Sequence, residues 1–511
     1  MKRILLSAIL FAATLPSLGE SVARGKGGVP DVGKRIIVKT PPASTGVTLE
    51  GLGVEMDPHF LSQNVTGQDG ATAEDWENIV VRRAGMMKLQ RFRVMVMPYW
   101  WEPERGVFTF DSLEMKSLYA VLDLADKIGA DVTLVLWGCP AACRYVDGSA
   151  RPSQWQRHYL SDPAGTNWVT APSDPDEFAA CFSALVRYLI ENKGYKCIRE
   201  VTPFNEPDGD VCDPDTYFKV VKAMDRKFRE DGIRDKVRFN LSDNTDTRRF
   251  FLEACAGNLA GEADMFNSHT YIFGYETLNS EVKEWEKANV AAVASTGKKH
   301  FVGEFGSNLC TNASRQKDIN RYERGVLLVR NCLNFLNAGA CGASYWSLID
   351  QYYSIYDSYE TMQQLGLWRY KKSVYKGDDA EGCGFDYQVR PQYYAWSLMT
   401  RFVRKGDTVR PLDLSNEMAA GSAFLSEDGK WTYVFANGYD EDITVDLVNA
   451  NGKVRYGLDI YRYTRDAVPG PGDDDDSMLE PSGRIRFRGG KCRVCIPASS
   501  VALLTQRSYS E

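Results

Sequence analysis

Eight times between residues 48 and 406 a short apolar run is followed by a longer amphipathic one. Few folds satisfy that alternation. The apolar runs fall at residues 49–56, 89–97, 131–137, 200–204, 237–241, 264–268, 301–304 and 342–347, each short enough to be a strand buried on both faces. The segments between them, such as 215–230, 276–294 and 315–338, carry a helical period and stop at glycine or a turn. Strand and helix alternating in this way make βα units and a parallel sheet, and eight units close a (β/α)8 TIM barrel. A final helix over 391–403, ending near Gly406, completes it.

The flanks have a different character. Residues 407–511 alternate apolar and polar positions in short runs such as 431–436 and 501–505, separated by Gly and Asp turns, which predicts a C-terminal all-β sandwich. Residues 24–47 hold a Gly-rich linker and a lone apolar strand at 35–39 that needs a partner sheet, so it is expected to join the sandwich. Residues 1–23 read as a signal peptide: Met1-Lys2-Arg3 is basic, an apolar run follows to Ala13, and small residues stand at 17–19 and 21–23. That run is too short to span a bilayer, and no Cys lies near the cleavage region. The expectation is a secreted or periplasmic protein with no membrane insertion.

Barrel active sites lie at the C-terminal ends of the strands, and two of these ends carry a glutamate. Asn205-Glu206-Pro207-Asp208 follows the fourth predicted strand, and Gly303-Glu304-Phe305-Gly306 closes the seventh. Two carboxylates aimed across one cleft suit glycosidic cleavage, in which one attacks the anomeric carbon while the other protonates the leaving oxygen. Either glutamate alone is as readily an exposed or ion-paired residue; the ordered pair is the specific signal.

This pair closely resembles the retaining glycoside hydrolases of clan A, the superfamily of cellulases, mannanases, β-xylosidases and β-galactosidases. The resemblance implies that Glu206 is the acid/base, that Glu304 is the nucleophile, and that Asn205 binds the sugar 2-hydroxyl. Ser268-His269-Thr270-Tyr271 is similar to the His-x-Tyr of clan A cellulases, whose tyrosine orients the nucleophile; a core histidine and a packing tyrosine are the plain alternative. Arg91 or Arg93 would be the buried arginine beside the nucleophile, and strand alternation puts both on one face without choosing between them. Trp346 matches the sugar-platform tryptophan, with core packing as its alternative. At the third strand, Leu136-Trp137-Gly138 stands where the cellulases have an Asp-x-His ending, which leaves the family unassigned and Trp137 as a substrate contact.

Aromatic faces stack on sugar rings, and Trp100, Trp101, Trp137, Trp155, Trp168, Trp346 and Trp368 all fall at or just after predicted strand ends, so they are expected to line the cleft. Long loops over 137–174 and 350–390 are expected to wall it. Glu55, Asp57, Glu102, Asp243 and Asp350 also lie near strand ends, where bonding to loops is the commoner use.

Composition narrows what remains. A net charge of −7 without a long basic run argues against a nucleic-acid partner. The chain has four His, none at ligand spacing, so neither a His-rich metal site nor a Ser-His-Asp machine is expected. Gly51-Leu52-Gly53 lacks the third glycine of a dinucleotide fingerprint, and no cofactor is expected. Twelve scattered Cys read mostly as buried thiols; Cys139 and Cys143 are close enough in a loop to bridge, whereas a strand would put Cys492 and Cys495 on opposite faces. The acidic run 473–476 reads as a solvated loop rather than a cation site. The expectation is therefore a monomeric retaining β-glycosidase acting on a carbohydrate. The alternatives are a non-catalytic glycan-binding barrel and a transglycosylase using the same residues.

Overall fold

The computed structural model describes residues 35–40, 47–56, 58, 71–136, 139–140, 169–172, 174–209, 212–245, 248–308, 310–312, 315–316, 319–350, 364–370, 386–449, 455–470, 473 and 475–509. The expected signal peptide, the residues Trp137, Trp155, Trp168, Asp57 and Cys143, and most of the two long loops lie outside them.

Strand β1 (Arg35–Thr40) precedes the barrel. The barrel strands are β2 (Gly51–Glu55), β3 (Arg91–Val96), β4 (Asp131–Leu136), β5 (Ile198–Thr202), β6 (Arg238–Asn244), β7 (Met265–Thr270), β8 (Lys299–Phe305) and β9 (Gly342–Tyr345). They are parallel and close in sequence order, β9 pairing with β2 and β7 with β8. All eight expected strands are present, each within a few residues of its predicted range. The helices begin and end where local chemistry requires. Asp174 and Asp213 cap Pro175–Arg187 and Pro214–Glu230, each with proline at the first helical position, and Gly129 and Gly339 in the left-handed region stop Leu113–Ile128 and Glu323–Ala338.

The barrel interior is not the usual stack of branched aliphatics. From the bottom upward, Lys299 bonds Glu50 (2.6 Å), Glu50 bonds Arg238 (3.0 Å), Arg238 bonds Glu200, and Glu200 bonds Arg91. Thr133 and Asn240 complete the shell around Glu200 at 3.0 and 3.2 Å, and Asn267 donates to Asn240 (2.9 Å). Burial raises Glu200 and Glu50, but the surrounding cations more than offset it: Glu200 lies below the usual carboxylate range and Glu50 at about 2. Space for Arg91 comes from Gly53, where a Cβ would stand 2.7 Å from the Cβ of Arg91.

The C-terminal strands are β10 (Thr408–Leu412), β11 (Ala419–Leu425), β12 (Trp431–Asn437), β13 (Ile443–Asn449), β14 (Gly457–Tyr463), β15 (Gly483–Arg486), β16 (Lys491–Ile496) and β17 (Ser500–Thr505). They form a six-stranded sheet, β10-β11-β12-β17-β14-β15, and a three-stranded one, β1-β13-β16. The two sheets share one core in which Val38 packs with Val445, Leu447, Val494, Phe435 and Leu504. β16 alternates buried and exposed, so Cys492 faces the core and Cys495 faces solvent, both as free thiols. In the acidic run, Asp476 is held by Arg82 and by Arg83 (2.7 Å), which ties the sandwich to the barrel.

β1 pairs in parallel with β13 from Arg35–Thr444 to Thr40–Asn449. Deleting residues 24–40 should therefore expose the edge of β13 and raise hydrogen exchange over 443–449. Unchanged protection there would mean that β1 contributes nothing to the sandwich.

Candidate active site

β5 ends at Thr202, yet the Asn205 amide still donates to the Leu136 carbonyl (2.9 Å), so the chain runs on beside β4 and delivers Asn205 and Glu206 to the barrel mouth. There it turns sharply. Glu206 adopts a left-handed backbone (φ 45°), with its amide donating to the Asp243 carbonyl (3.2 Å) and its carbonyl accepting from Gly209 (2.8 Å). A non-glycine residue held there costs about 1–3 kcal/mol, and such strain concentrates at functional sites.

Glu304 is aimed by a bulge. Against β7, Val302 stands opposite Ser268 and Glu304 opposite His269, which leaves Gly303 as the extra residue. Gly303 and Glu304 therefore both face inward, where strict alternation would have sent one of them out. Only glycine fits, because a Cβ at 303 would stand 2.4 Å from Asn267 Oδ1. A matching irregularity lies on the other side of β7: Ser242 opposes Asn267 and Asn244 opposes Ser268, so Asp243 is extra, with φ 80° at Ser242 and 53° at Asp243.

These devices converge on one cluster. Arg93 Nη1 donates to Glu304 Oε1 (2.5 Å) and to Glu55 Oε2 (3.2 Å), while Nη2 donates to Asn205 Oδ1 (2.9 Å) and Asp243 Oδ2 (2.6 Å). The Tyr271 hydroxyl donates to Glu304 Oε2 (2.7 Å). His269 Nδ1 lies 2.8 Å from Glu206 Oε1 and 3.4 Å from Glu304 Oε2. On its other side Nε2 is 3.2 Å from Asp243 Oδ1, near enough for charge attraction but out of line for a hydrogen bond. One oxygen each of Glu206 and Glu304, with the His269 nitrogen, fall within 4.8 Å of one another. The Glu206 side chain is 34% exposed and that of Glu304 6%, so one carboxylate sits at the rim and the other beneath it.

Four carboxylates here face two cations. Burial is the largest influence on Glu304 and raises it, Glu206 and Asp243 adding to the effect against His269 and Arg93. Burial would also raise Asp243, but Arg93 and His269 hold it below the usual range. Burial works against a charged His269, yet Glu304 and Asp243 keep it well above its ordinary value, favouring the charged ring between the carboxylates. Glu206, His269 and Glu304 thus present three ligand-type atoms close together, with the His269 Nδ1 already engaged by Glu206.

The structure thus brings Asn205, Glu206, His269, Tyr271, Glu304 and Arg93 together. Arg91 is not with them: it lies one layer deeper, on Glu200 and over the Phe301 ring. Both arginines face the interior, but two residues of strand rise separate their depths. Trp346 follows β9 with its amide on the Phe305 carbonyl (3.1 Å), beside Glu304, and is almost fully buried. Trp137 lies outside the described residues.

The expected aromatic lining is corrected in part. Trp100, Trp101 and Trp368 are sealed in the core, Trp101 donating to the Cys181 carbonyl (2.9 Å) and Trp368 packed on Tyr393 beneath Arg83. They anchor loops at their roots, where the chain still runs between strand and helix layers. Asp350 likewise takes both arms of Arg390 (2.6 and 2.7 Å), and Glu102 caps Gly106 (2.7 Å). A second histidine has triad-like geometry, His300 bonding Ser268 Oγ (2.9 Å) and Glu286 (2.6 Å), but all three are buried and no substrate reaches them.

Sequence reasoning gave Asp243 no more weight than any other strand-end acid. The signal for it was Asp243-Asn244 at the end of a run whose alternation breaks, which is how a bulge reads in one dimension.

No protein-family model and no curated protein sequence matches this chain. Solved structures do. A glycoside hydrolase family 30 subfamily 8 xylanase from Clostridium acetobutylicum aligns with a TM-score of 0.61 at 14% identity, covering 92% of this chain and 99% of that one. An endo-β1,6-glucanase gives 0.61 at 14%, covering 92% and 94%. A family 39 glycoside hydrolase from Bacteroides cellulosilyticus WH2 gives 0.58 at 13%, covering 90% and 81%. At such identities the likeness is one of fold, and these solved glycoside hydrolases share that fold over nine-tenths of this chain.

Proposed function

We propose that this chain is an exported retaining β-glycoside hydrolase acting on a β-linked oligo- or polysaccharide, with Glu206 as acid/base and Glu304 as nucleophile. The observation that carries this reading is the approach of their oxygens to within 4.8 Å. Retaining glycosidases hold the two carboxyl groups about 5–5.5 Å apart, whereas inverting ones need about 6.5–9.5 Å to admit water between carboxylate and sugar.

Roles follow from surroundings. Glu304 accepts from Arg93 at one oxygen and from Tyr271 at the other, the pattern of an ionised carboxylate ready to attack the anomeric carbon. Glu206, at the rim, gives its proton to the departing oxygen as the C–O bond breaks, and Glu304 forms the glycosyl-enzyme. Glu206 then takes a proton from water as that water displaces Glu304. His269 bonds one Glu206 oxygen and leaves the other for the transferable proton. Asn205, oriented by Arg93, serves the sugar 2-hydroxyl, and Trp346 the ring bound beside Glu304. A xylanase and an endo-β1,6-glucanase on this fold support a polysaccharide substrate. Transglycosylation uses the same residues, with a sugar hydroxyl in place of water.

Proton NMR of the first product from a panel of aryl β-glycosides should show the β-anomer before mutarotation. An initial α-anomer would overturn the reading, and binding without turnover of any glycan would leave the non-catalytic barrel instead.

A further inference from the structure

Glu206 needs something to hold its strained turn, and the nearest candidate is another carboxylate. Asp208, two residues on, is 3% exposed. Its Oδ1 accepts from the Thr245 amide (2.9 Å) and its Oδ2 from the Thr245 hydroxyl (2.7 Å), while its backbone carbonyl accepts from Arg248. Thr245 stands two residues after Asp243, just past Asn244, and the Asp243 carbonyl receives the Glu206 amide. Two left-handed stretches, at Glu206 and at Ser242-Asp243, are thus stitched together at both ends, once by backbone and once by Asp208.

We infer that Asp208 is a positioning residue, whose hydrogen bonds to Thr245 lock the ends of β5 and β6 together and so fix the direction in which Glu206 delivers its proton. This rests on the proposed role of Glu206 as acid/base. The charge on the latch does not favour folding. Burial is the main influence on Asp208 and carries it to about 6, with the Thr245 bonds opposing and Glu206 adding; Arg248 and the thiols of Cys212 and Cys255 are its other ionisable neighbours. A folded-state value raised above the unfolded one means that folding favours the protonated acid. Stability therefore falls as pH rises from about 4 to about 6 and stays lower above that. An asparagine retains both bonds, accepting from the amide and donating to the hydroxyl, without the charge.

The test compares two aryl β-glycosides of one sugar, with dinitrophenol and with phenol as leaving groups. The first leaves without a proton and the second requires one. Asp208→Ala should lower kcat/KM for the phenyl glycoside about 10- to 100-fold, part of what a general acid supplies, and for the dinitrophenyl glycoside less than about threefold. Asp208→Asn should restore the phenyl glycoside to within a few fold of wild type. Equal losses on both substrates in Asp208→Ala, or an Asp208→Asn as impaired as Asp208→Ala, would overturn the latch. A wild type inactive on every glycan and on aryl β-glycosides of both mono- and oligosaccharides would instead overturn the glycosidase reading, and the latch with it.

Discussion

Glu304→Ala should reduce turnover below detection on every substrate, whereas Glu206→Ala should lose about 10²- to 10⁴-fold on substrates with poor leaving groups and little in kcat/KM on dinitrophenyl glycosides. The asymmetry follows from position. On the proposed roles, Glu304, buried between Arg93 and Tyr271, is the covalent partner that water does not replace, while a proton from Glu206 matters only as much as the leaving oxygen needs one. Azide makes the assignment stereochemical. In Glu206→Ala the glycosyl-enzyme still forms, and azide displaces Glu304 from the opposite face to give a β-glycosyl azide. In Glu304→Ala azide enters where the carboxylate stood and gives the α-azide. Exchanged products would exchange the roles.

Arg93→Met should be the most damaging substitution for stability, because it strands Glu55, Asp243 and Glu304 without the cation that bonds all three. Removing one partner of a buried ion pair costs about 3–5 kcal/mol. The sign of the pH dependence separates this from simple loss of packing. In the wild type Asp243 lies below its unfolded value, so its contribution is present above about pH 4 and disappears as pH falls through its folded value. Without Arg93, burial dominates, the folded values of these acids rise, and stability is instead lost as pH rises through the range between unfolded and folded values. The deficit in melting temperature against wild type should therefore be larger at about pH 8 than at about pH 5. A deficit equal at both would mean that the charge is not what matters.

The sequence carried most of the frame and both glutamates, because eight apolar runs of strand length and an Asn-Glu-Pro at one strand end are local patterns. What it hid is relational. Period-two alternation loses its phase at one extra residue, so the bulges at Asp243 and Gly303, which turn two acids inward toward His269, left at most a broken pattern that did not say where either acid points. Alternation also says which way a side chain points but not how deep it lies, and so it left Arg91 and Arg93 unresolved. Trp100, Trp101 and Trp368 misled for a related reason: being near a strand end does not distinguish the mouth of a barrel from the layer beneath its helices. The Asp208–Thr245 bond joins residues 37 apart and had no sequence signal.

The ladder from Lys299 through Glu50, Arg238 and Glu200 to Arg91 constrains how such a protein can diverge. Each member neutralises its neighbours, so replacing Glu200 alone leaves Arg91 and Arg238 facing each other in the barrel centre, and replacing Arg91 alone removes one of the two guanidinium groups that Glu200 bonds. Either single step is severe, yet an apolar pair of matching volume at both positions is often neutral or better. Glu200 and Arg91 are therefore coupled as an epistatic pair, with a valley between the ionic barrel and an aliphatic one that mutation by single steps does not cross. Lineages descending from this chain should vary freely in the loops between strand and helix while inheriting the charged interior as one block.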